Sequence, residues 1–196
     1  MAAARKTRVT TTPEEQEAAI LAAAAAEFTA VGLRAANMDQ VAKAAGVSRS
    51  TLYRRFPSKD NLVIALANAT FERGMAELEE AVAGQSPADA VVEAFVTGAT
   101  LIDTDPLLHR MVIEDEEIRS LTSSITSLFI DMVIERVAGA LRTCGATMPD
   151  DQLRRAVDIH VRLVISYLEV PASDDSLRTP EAVRSFAATF LAPMVY

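Results

Sequence analysis

Residues 38–56 read MDQVAKAAGVSRSTLYRRF and contain two short helical patterns joined by a tight turn. Gly46 lies at the turn, where a positive φ costs glycine little. Ala42 is small enough for the two helices to cross closely, and Val47 and Leu52 can fill the space between them. This pattern predicts a helix-turn-helix, whose second helix enters the major groove of DNA.

The second of these helices carries side chains that can contact DNA. Arginine can make two parallel hydrogen bonds to a guanine edge, and serine, threonine and tyrosine hydroxyls can reach phosphate oxygens. Lys59 lies at the start of the next helix, where its ammonium group and the free backbone N–H groups can hold one phosphate. The predicted DNA-binding residues are Asn37, Met38, Ser48, Arg49, Ser50, Thr51, Tyr53, Arg54, Arg55 and Lys59.

Charge is divided unevenly along the chain. Residues 1–60 hold nine basic and six acidic side chains, whereas the remainder holds ten basic and 21 acidic ones, within a net charge of −8. The acidic total argues against non-specific coating of nucleic acid but permits a small basic face. Two alternatives stay open: the arginines of the second helix form a solvated surface, and Arg5, Lys6 and Arg8 form a solubilising arm rather than a DNA contact.

Helix-start and helix-stop signals recur along the chain and predict an all-α fold. Thr12 and Pro13 form an N-cap and a first helical position, and Gly32 is expected to end that helix. Aromatic residues make up only 5% of the chain and alanine is abundant, which favours helices over strands. About nine helices are predicted, over residues 13–31, 38–45, 49–56, 59–82, 86–102, 105–113, 116–143, 150–169 and 180–191.

The segment at residues 17–67 resembles the DNA-binding domain of the TetR family of bacterial transcription regulators. Two positions depart from the family pattern: Asn37 stands where threonine is usual, and Arg55 stands where histidine is frequent. The matching residues are Ile20, Leu21, Ala25, Phe28, Gly32, Met38, Val41, Ala42, Ala45, Gly46, Val47, Ser48, Thr51, Leu52, Tyr53, Phe56, Lys59 and Leu62.

The resemblance implies a chain in three parts. A flexible basic arm at residues 1–12 precedes a three-helix helix-turn-helix DNA-binding domain at residues 13–58. The remaining residues, 59–196, form a larger helical domain that binds an effector and dimerises. In this family a palindromic operator follows from the two-fold axis of the dimer.

The helix predicted at residues 150–169 is apolar on two faces, which calls for two packing partners. One partner is the core of the same chain, and the other is expected to be a second subunit, joined through the last two helices of each chain. The alternative is that both helices are simply the core of a monomer. The predicted dimer interface contains Ile159, Leu163, Tyr167, Val183, Phe186, Ala187 and Phe190.

An effector cavity is implied by the resemblance and lies among the middle helices. Methionine-rich, aromatic-poor walls would suit a flexible, mostly apolar compound, although any of these residues can equally be ordinary core. His160 is interpreted as a packed or capping residue rather than a ligand. The candidate pocket residues are Phe71, Met75, Phe95, Thr100, Leu108, His109, Met111, Ile125, Phe129, Met132 and Tyr167.

Several classes of protein are disfavoured by what the sequence lacks. It has no metal-ligand spacing, no Ser/His/Asp order and no glycine-rich phosphate loop, so no enzyme activity, cofactor or metal is predicted. Cys144 is the single cysteine, which fits a reducing cytoplasm. Neither a signal peptide nor an apolar run of about 18 residues occurs, so no membrane span is expected.

The leading hypothesis is a dimeric repressor that binds a palindromic operator and is released by a small, mostly apolar effector. An activator or an effector-independent regulator of the same fold is the nearest alternative. An all-helical enzyme and a helical protein-interaction module are the more distant ones.

Overall fold

A computed structural model of the chain describes residues 12–114, 123–170 and 173–196. Within these residues the chain forms nine α-helices and no β-strand, which confirms the predicted all-α fold. Residues 1–11 of the predicted basic arm (residues 1–12) and the predicted helical residues 116–122 lie outside the described part. The helices are α1 (Pro13–Ala35), α2 (Met38–Ala44), α3 (Arg49–Arg55), α4 (Lys59–Val82), α5 (Pro87–Thr104), α6 (Pro106–His109), α7 (Ser123–Thr143), α8 (Asp150–Glu169) and α9 (Pro180–Phe186).

Helix α1 begins at a capping box and is interrupted near its end. The Thr12 hydroxyl accepts a hydrogen bond from the Glu15 N–H at 3.2 Å, and the Glu15 carboxylate accepts one from the Thr12 N–H at 2.7 Å. Gly32, the predicted stop, has a φ of 77° inside the helix. Because glycine adopts this conformation at little cost, the chain turns there and then adds residues up to Ala35.

The described chain divides into two compact units, Met1–Ala67 and Asn68–Tyr196. The division falls within α4, whereas the sequence analysis placed the whole of this helix in the second domain. Leu62 and Leu66 explain the difference, because these residues of the first two turns of α4 are buried with the core of the first unit. A single continuous helix therefore supplies core residues to the first unit before it enters the second.

The second unit is built on helices α5, α7 and α8, which pack against one another, and α5 also packs against the segment that follows α9. Its most buried side chains include Val91, Leu141, Leu153 and Val157. Two segments wind more widely than an α-helix: residues 110–114 after α6, and residues 187–191 after α9. The last predicted helix therefore has the predicted extent, but its second half departs from regular α-geometry.

Hydrogen bonds fix the connection between α7 and α8. The Arg142 guanidinium donates to the carbonyl oxygens of Ala146 and Met148 and to the Asp150 carboxylate. The backbone carbonyl of Tyr196 accepts from the Met148 N–H at 2.9 Å, which ties the end of the chain to the same turn.

Helix α1 has the length and apolar composition of a helix that could cross a membrane. Its Ile20, Ala24 and Phe28 side chains, however, are buried in the core of the first unit. A core helix of a globular domain passes the same test of length and composition, so α1 is weak support for a membrane span.

Candidate nucleic-acid interface and effector cavity

Helices α2 and α3 and the turn between them have the geometry that the sequence predicts. Gly46 has a φ of 67°, and the Val47 N–H donates to the Ala42 carbonyl at 3.0 Å, which closes the turn. Ser48 begins α3 as its N-cap and accepts from the Thr51 N–H at 3.1 Å. Leu52 is fully buried and holds α3 against the rest of the first unit.

The outer surface of α3 presents arginine and hydroxyl groups. Arg49 and Ser50 are exposed, as is Arg54, and Thr51 and Tyr53 are half-buried. The Ser48 hydroxyl also lies 2.9 Å from that of Ser50, so this end of α3 carries a row of polar groups. The surface matches what a recognition helix needs, because base edges and phosphates are read by side chains of these types.

The two exposed arginines differ in their surroundings. The Arg49 guanidinium lies 5.4 Å from the centre of the Tyr53 ring and 3.1 Å from the Asp39 carboxylate. Both members of the Arg49–Asp39 ion pair are more than half exposed, so the pair adds little stability and can exchange for a nucleic-acid contact. Arg54 makes no ion pair with any residue in the described part of the chain, so its guanidinium is available to a ligand.

Two predicted DNA contacts lie inside the first unit instead. Met38 is only 8% exposed, because as the first residue of α2 it turns its side chain into the core. Arg55 forms an ion pair with Glu17 of α1 at 2.5 Å, and only 23% of its side chain is exposed. These two residues hold the helix-turn-helix to α1 rather than present a free surface to DNA. The Asn37 side chain caps α2 by accepting from the Asp39 N–H at 2.7 Å, and it is exposed.

Lys59, a predicted phosphate contact, has hydrogen-bond partners within the first unit. Its Nζ atom lies 2.8 Å from the Leu33 carbonyl oxygen, 3.3 Å from that of Arg34 and 3.4 Å from that of Ala36. A lysine ammonium group has three N–H donors, and here all three can be used by carbonyls at the end of α1. The positive charge also matches the negative end of that helix. Lys59 thus fastens the start of α4 to the end of α1.

Replacing Lys59 with methionine is therefore expected to lower the free energy of unfolding of the first unit by about 1–3 kcal/mol, because hydrogen bonds from a charged donor are lost. The dependence of DNA affinity on salt concentration should not change, since no phosphate contact is removed. Chemical denaturation and DNA titrations at several salt concentrations measure the two effects.

The matched control is Lys43→Met, which removes the same charge from an exposed position on α2. It should leave the free energy of unfolding within about 0.5 kcal/mol of wild type. Unchanged stability in Lys59→Met, together with a salt slope lowered by about one, would restore Lys59 as a phosphate contact.

The second unit contains a partly open cavity of about 180 Å³ between helices α4, α5, α6, α7 and α8. Its walls are almost entirely apolar, and the polar side chains among the described lining residues are Thr70 and His160. Four of the residues that the sequence predicted for the pocket line it: Phe71, Met75, Phe95 and Leu108. The other apolar lining residues are Leu78, Val91, Ala94, Leu101, Ile102, Val112, Val133, Val137, Leu141, Val157, Val161, Val164 and Ile165.

Six other predicted pocket residues do not line the cavity. Phe129 packs behind the wall, with its ring 5.7 Å from that of Phe71, and Tyr167 is 49% exposed beside Phe186. Thr100, His109, Met111 and Met132 are also absent from the lining. They share helices with lining residues but turn to other faces. The side chain of Ile125 lies outside the described part of the chain.

His160 lines the cavity, although it is not among the predicted pocket residues. Its side chain is 8% exposed, and its Nε2 atom is buried with no hydrogen-bond partner among the described residues. Burial lowers the pKa of the His160 imidazole to about 4, so the ring is uncharged near neutral pH. The sequence pattern does place His160 as a lone polar residue on an apolar face of α8. The same pattern is typical of a packed histidine, so it does not by itself indicate a cavity residue.

An apolar surface runs along α8 and the segment after α9. Ile159 is 40% exposed and Phe190 is 62% exposed, and Leu163, Val183 and Phe186 are half-buried. Phe186 joins the exposed rings, because its centre lies 5.5 Å from that of Tyr167 and 5.3 Å from that of Phe190. We call Ile159, Leu163, Tyr167, Val183, Phe186 and Phe190 the α8–α9 face.

Ala187 belongs to the core and not to this face. It is fully buried within its own unit, so the single chain leaves no exposed surface of Ala187, a predicted interface residue, for a partner to contact. Two arginines beside the α8–α9 face are paired within the chain. Arg162 binds Asp158 at 2.8 Å, and the Arg184 guanidinium binds the Glu93 carboxylate with two hydrogen bonds.

Two protein-family models match the chain. The model described as bacterial regulatory proteins, tetR family, matches residues 20–66. The model described as bacterial tetracyclin repressor, C-terminal domain, matches residues 86–189, which is more than half of the chain. The chain belongs to the TetR family. The first match contains the helix-turn-helix and the second contains α5 to α9, so together they reach both units.

Solved structures of TetR-family proteins share this fold over nearly the whole chain. The repressor AlkX from Dietzia sp. strain DQ12-45-1b has 24% identity and a TM-score of 0.64, with 90% of this chain and 94% of that chain covered. The fatty acid degradation regulator FadR from Bacillus halodurans has 15% identity and a TM-score of 0.59, with coverage of 89% and 98%. FadR from Bacillus subtilis, solved with stearoyl-CoA, has 15% identity and a TM-score of 0.61, with coverage of 88% and 97%. A search of curated protein sequences finds no significant match.

Membership of the TetR family makes the protein a DNA-binding transcriptional regulator with a ligand-binding domain. The family and the structural relatives consist of transcriptional regulators rather than enzymes.

Proposed function

We propose that this TetR-family regulator is a repressor that binds a palindromic operator as a homodimer and leaves it when a small, mostly apolar molecule enters the cavity. The observation that carries the proposal is the exposed surface of α3, where Arg49, Ser50 and Arg54 stand out from a firmly packed helix-turn-helix. Such a helix can lie in the major groove with its side chains at the base edges. The structural relative AlkX is a repressor, which supports repression rather than activation.

The homodimer is supported by the α8–α9 face. Exposed aromatic and aliphatic side chains that adjoin one another commonly mark a protein contact. Because Arg162 and Arg184 already have acidic partners in their own chain, these two arginines are partly neutralised where two copies of the face would meet. A two-fold dimer would present two α3 helices to half-sites about one DNA turn apart.

An apolar effector is supported by the cavity itself. Its described lining holds no charged side chain, so burial of apolar ligand surface would supply most of the affinity. The acyl chain of the stearoyl-CoA bound to FadR from Bacillus subtilis is an apolar ligand in a protein of the same fold. The effector lowers DNA affinity to the extent that it prefers a conformation of the dimer other than the DNA-bound one.

We place this action in the cytoplasm, where bacterial DNA lies and where a free thiol such as Cys144 stays reduced. Selection of bound fragments from a genomic DNA library tests the function. Enrichment of one palindromic sequence, with an affinity that falls steeply as salt rises, is the expected result. Uniform recovery of all fragments, or no recovery, would contradict a sequence-specific regulator.

Arg54 gives a residue-level test of the recognition surface. Arg54→Ala should weaken binding to the selected operator by about 1–3 kcal/mol, because a base-reading arginine loses two hydrogen bonds, and should weaken binding to scrambled DNA less. Arg54→Lys keeps the charge without the paired geometry, so it should retain affinity for scrambled DNA but lose specificity. Fluorescence anisotropy on both DNAs measures this, and equal losses on the two would make Arg54 a phosphate contact.

A further inference from the structure

The cavity of the second unit contains one polar atom that no described residue satisfies. The Nε2 atom of His160 is buried and has no hydrogen-bond partner among the described residues, although a buried polar atom is normally paired. The His160 side chain lines the cavity on α8 and is more than nine-tenths buried. An unpaired polar atom costs stability, so its presence beside an open space points to a partner that comes from outside the chain.

The charge state of the cavity limits what that partner can be. The imidazole is neutral near pH 7, because burial lowers its pKa to about 4. No lysine, arginine or acidic side chain occurs among the described residues that line the cavity. A carboxylate or phosphate placed there would therefore be buried without a counter-charge, which is strongly unfavourable.

The hydrogen-bonding chemistry of a neutral imidazole narrows the choice further. In one tautomer Nε2 is a donor, and in the other it is an acceptor. A hydroxyl group can pair with either tautomer because it both donates and accepts, whereas a ketone or ester oxygen can pair only with Nε2–H. A hydroxyl on an apolar body thus satisfies His160 whatever the position of its proton.

We propose that the cavity takes an uncharged, hydroxyl-bearing apolar molecule, an alcohol or a phenol, and that His160 Nε2 is the atom that binds its hydroxyl group. This inference deepens the proposed effector binding and rests on that proposal only where the release of DNA is concerned. A cavity of about 180 Å³ is of the size that accommodates a single aromatic ring, which sets the scale of a first probe.

Phenol, toluene and benzoate form a matched set of probes for calorimetric titration of the protein without DNA. Phenol and toluene have nearly the same shape and differ in the hydroxyl group, and benzoate adds a negative charge. In wild type, phenol and toluene should both bind and benzoate should bind at least about tenfold more weakly than phenol. The ratio of phenol to toluene affinity should fall about tenfold in His160→Leu, the factor that corresponds to one hydrogen bond.

Three further variants, His160→Gln, His109→Gln and Thr70→Val, separate the effect of the hydrogen bond from an effect of packing. His160→Gln keeps a donor and an acceptor and should keep most of the phenol preference. His109→Gln changes the other histidine, which does not line the cavity, and should leave the ratio within about twofold of wild type. Without ligand, His160→Leu should have a higher Tm than wild type, because it removes the unpaired buried atom. If the ratio of phenol to toluene affinity fell more in Thr70→Val than in His160→Leu, the assignment of the hydroxyl contact to His160 would be overturned.

Nuclear magnetic resonance gives a direct readout of the same atom. Phenol should shift the ¹⁵N signal of His160 Nε2, and toluene should shift it much less. An unchanged affinity ratio in His160→Leu, preferential binding of benzoate, or no binding of phenol to wild type would each overturn the inference.

The proposed function is tested separately, by measuring whether phenol displaces the operator from the protein. If phenol binds through His160 but does not displace the operator, the hydroxyl site stands and effector release by this ligand class fails. If phenol does not bind but the operator is bound with steep salt dependence, the DNA-binding proposal stands and the hydroxyl site fails.

Discussion

Phe190→Asp is expected to convert the proposed dimer into a monomer and to weaken binding to the proposed palindromic operator at least about a thousandfold, toward non-specific strength. Phe190 is 62% exposed in the single chain, so a carboxylate there remains in water while the chain is alone. In a dimer built on the α8–α9 face the same carboxylate would be buried without a partner, at a cost of several kcal/mol. Sedimentation measures the assembly, and a DNA titration measures the affinity.

Two matched substitutions serve as controls for this prediction. Phe190→Leu keeps an apolar side chain and should keep the dimer. Val31→Asp places the same charge on α1 at a residue that is 47% exposed, and it should not alter sedimentation. Far-UV circular dichroism should show that all three variants are folded. A monomeric wild type, or a Phe190→Asp variant that stays dimeric and binds the operator normally, would contradict the proposed interface.

Phe190 is a better test site than Leu163, which the sequence alone would favour. Leu163 is half-buried and packs partly against the core of its own unit. An aspartate at Leu163 would therefore disturb the subunit and the proposed interface together, and loss of the dimer would not identify the cause.

Leu52→Ala is expected to abolish operator binding by unfolding the first unit. Leu52 is fully buried, and replacing such a leucine with alanine costs about 2–5 kcal/mol. A small domain has little stability in reserve, because it buries a smaller fraction of its surface than a large one. The second unit has its own core and should remain folded, so circular dichroism should show partial rather than complete loss of helix.

The control for Leu52→Ala is Ile64→Ala in the same unit. Ile64 is 39% exposed, so its truncation should cost less than about 1 kcal/mol and preserve operator binding. Thermal unfolding and hydrogen exchange of the two units give the measurement. If Leu52→Ala binds the operator as wild type does and its α1–α3 amides are equally protected from exchange, the assigned role of Leu52 in the first unit is wrong.

The sequence predicted the features that depend on neighbouring residues. Thr12 and Ser48 act as the N-caps that were expected, and Gly46 has the positive φ that the turn requires. Helix α8 has the predicted bounds. These features arise from hydrogen bonds and steric limits that span three or four residues, which is the range over which a sequence pattern can be interpreted directly.

Tertiary structure decided the roles of the side chains whose partners are distant in the chain. Lys59 and Arg55 have the residue types of DNA contacts, and within the first unit their hydrogen-bond partners are Leu33 and Glu17, which lie 26 and 38 residues before them. His160 became a cavity residue only because α8 meets α4 and α5 around an open space. A periodic pattern shows that a side chain lies on an apolar face, but it does not show whether that face meets another helix, a cavity or a second subunit. Packing across the whole domain decides which partner such a side chain meets. Alternative buried contacts differ little in local free energy, so the local sequence does not single out one of them.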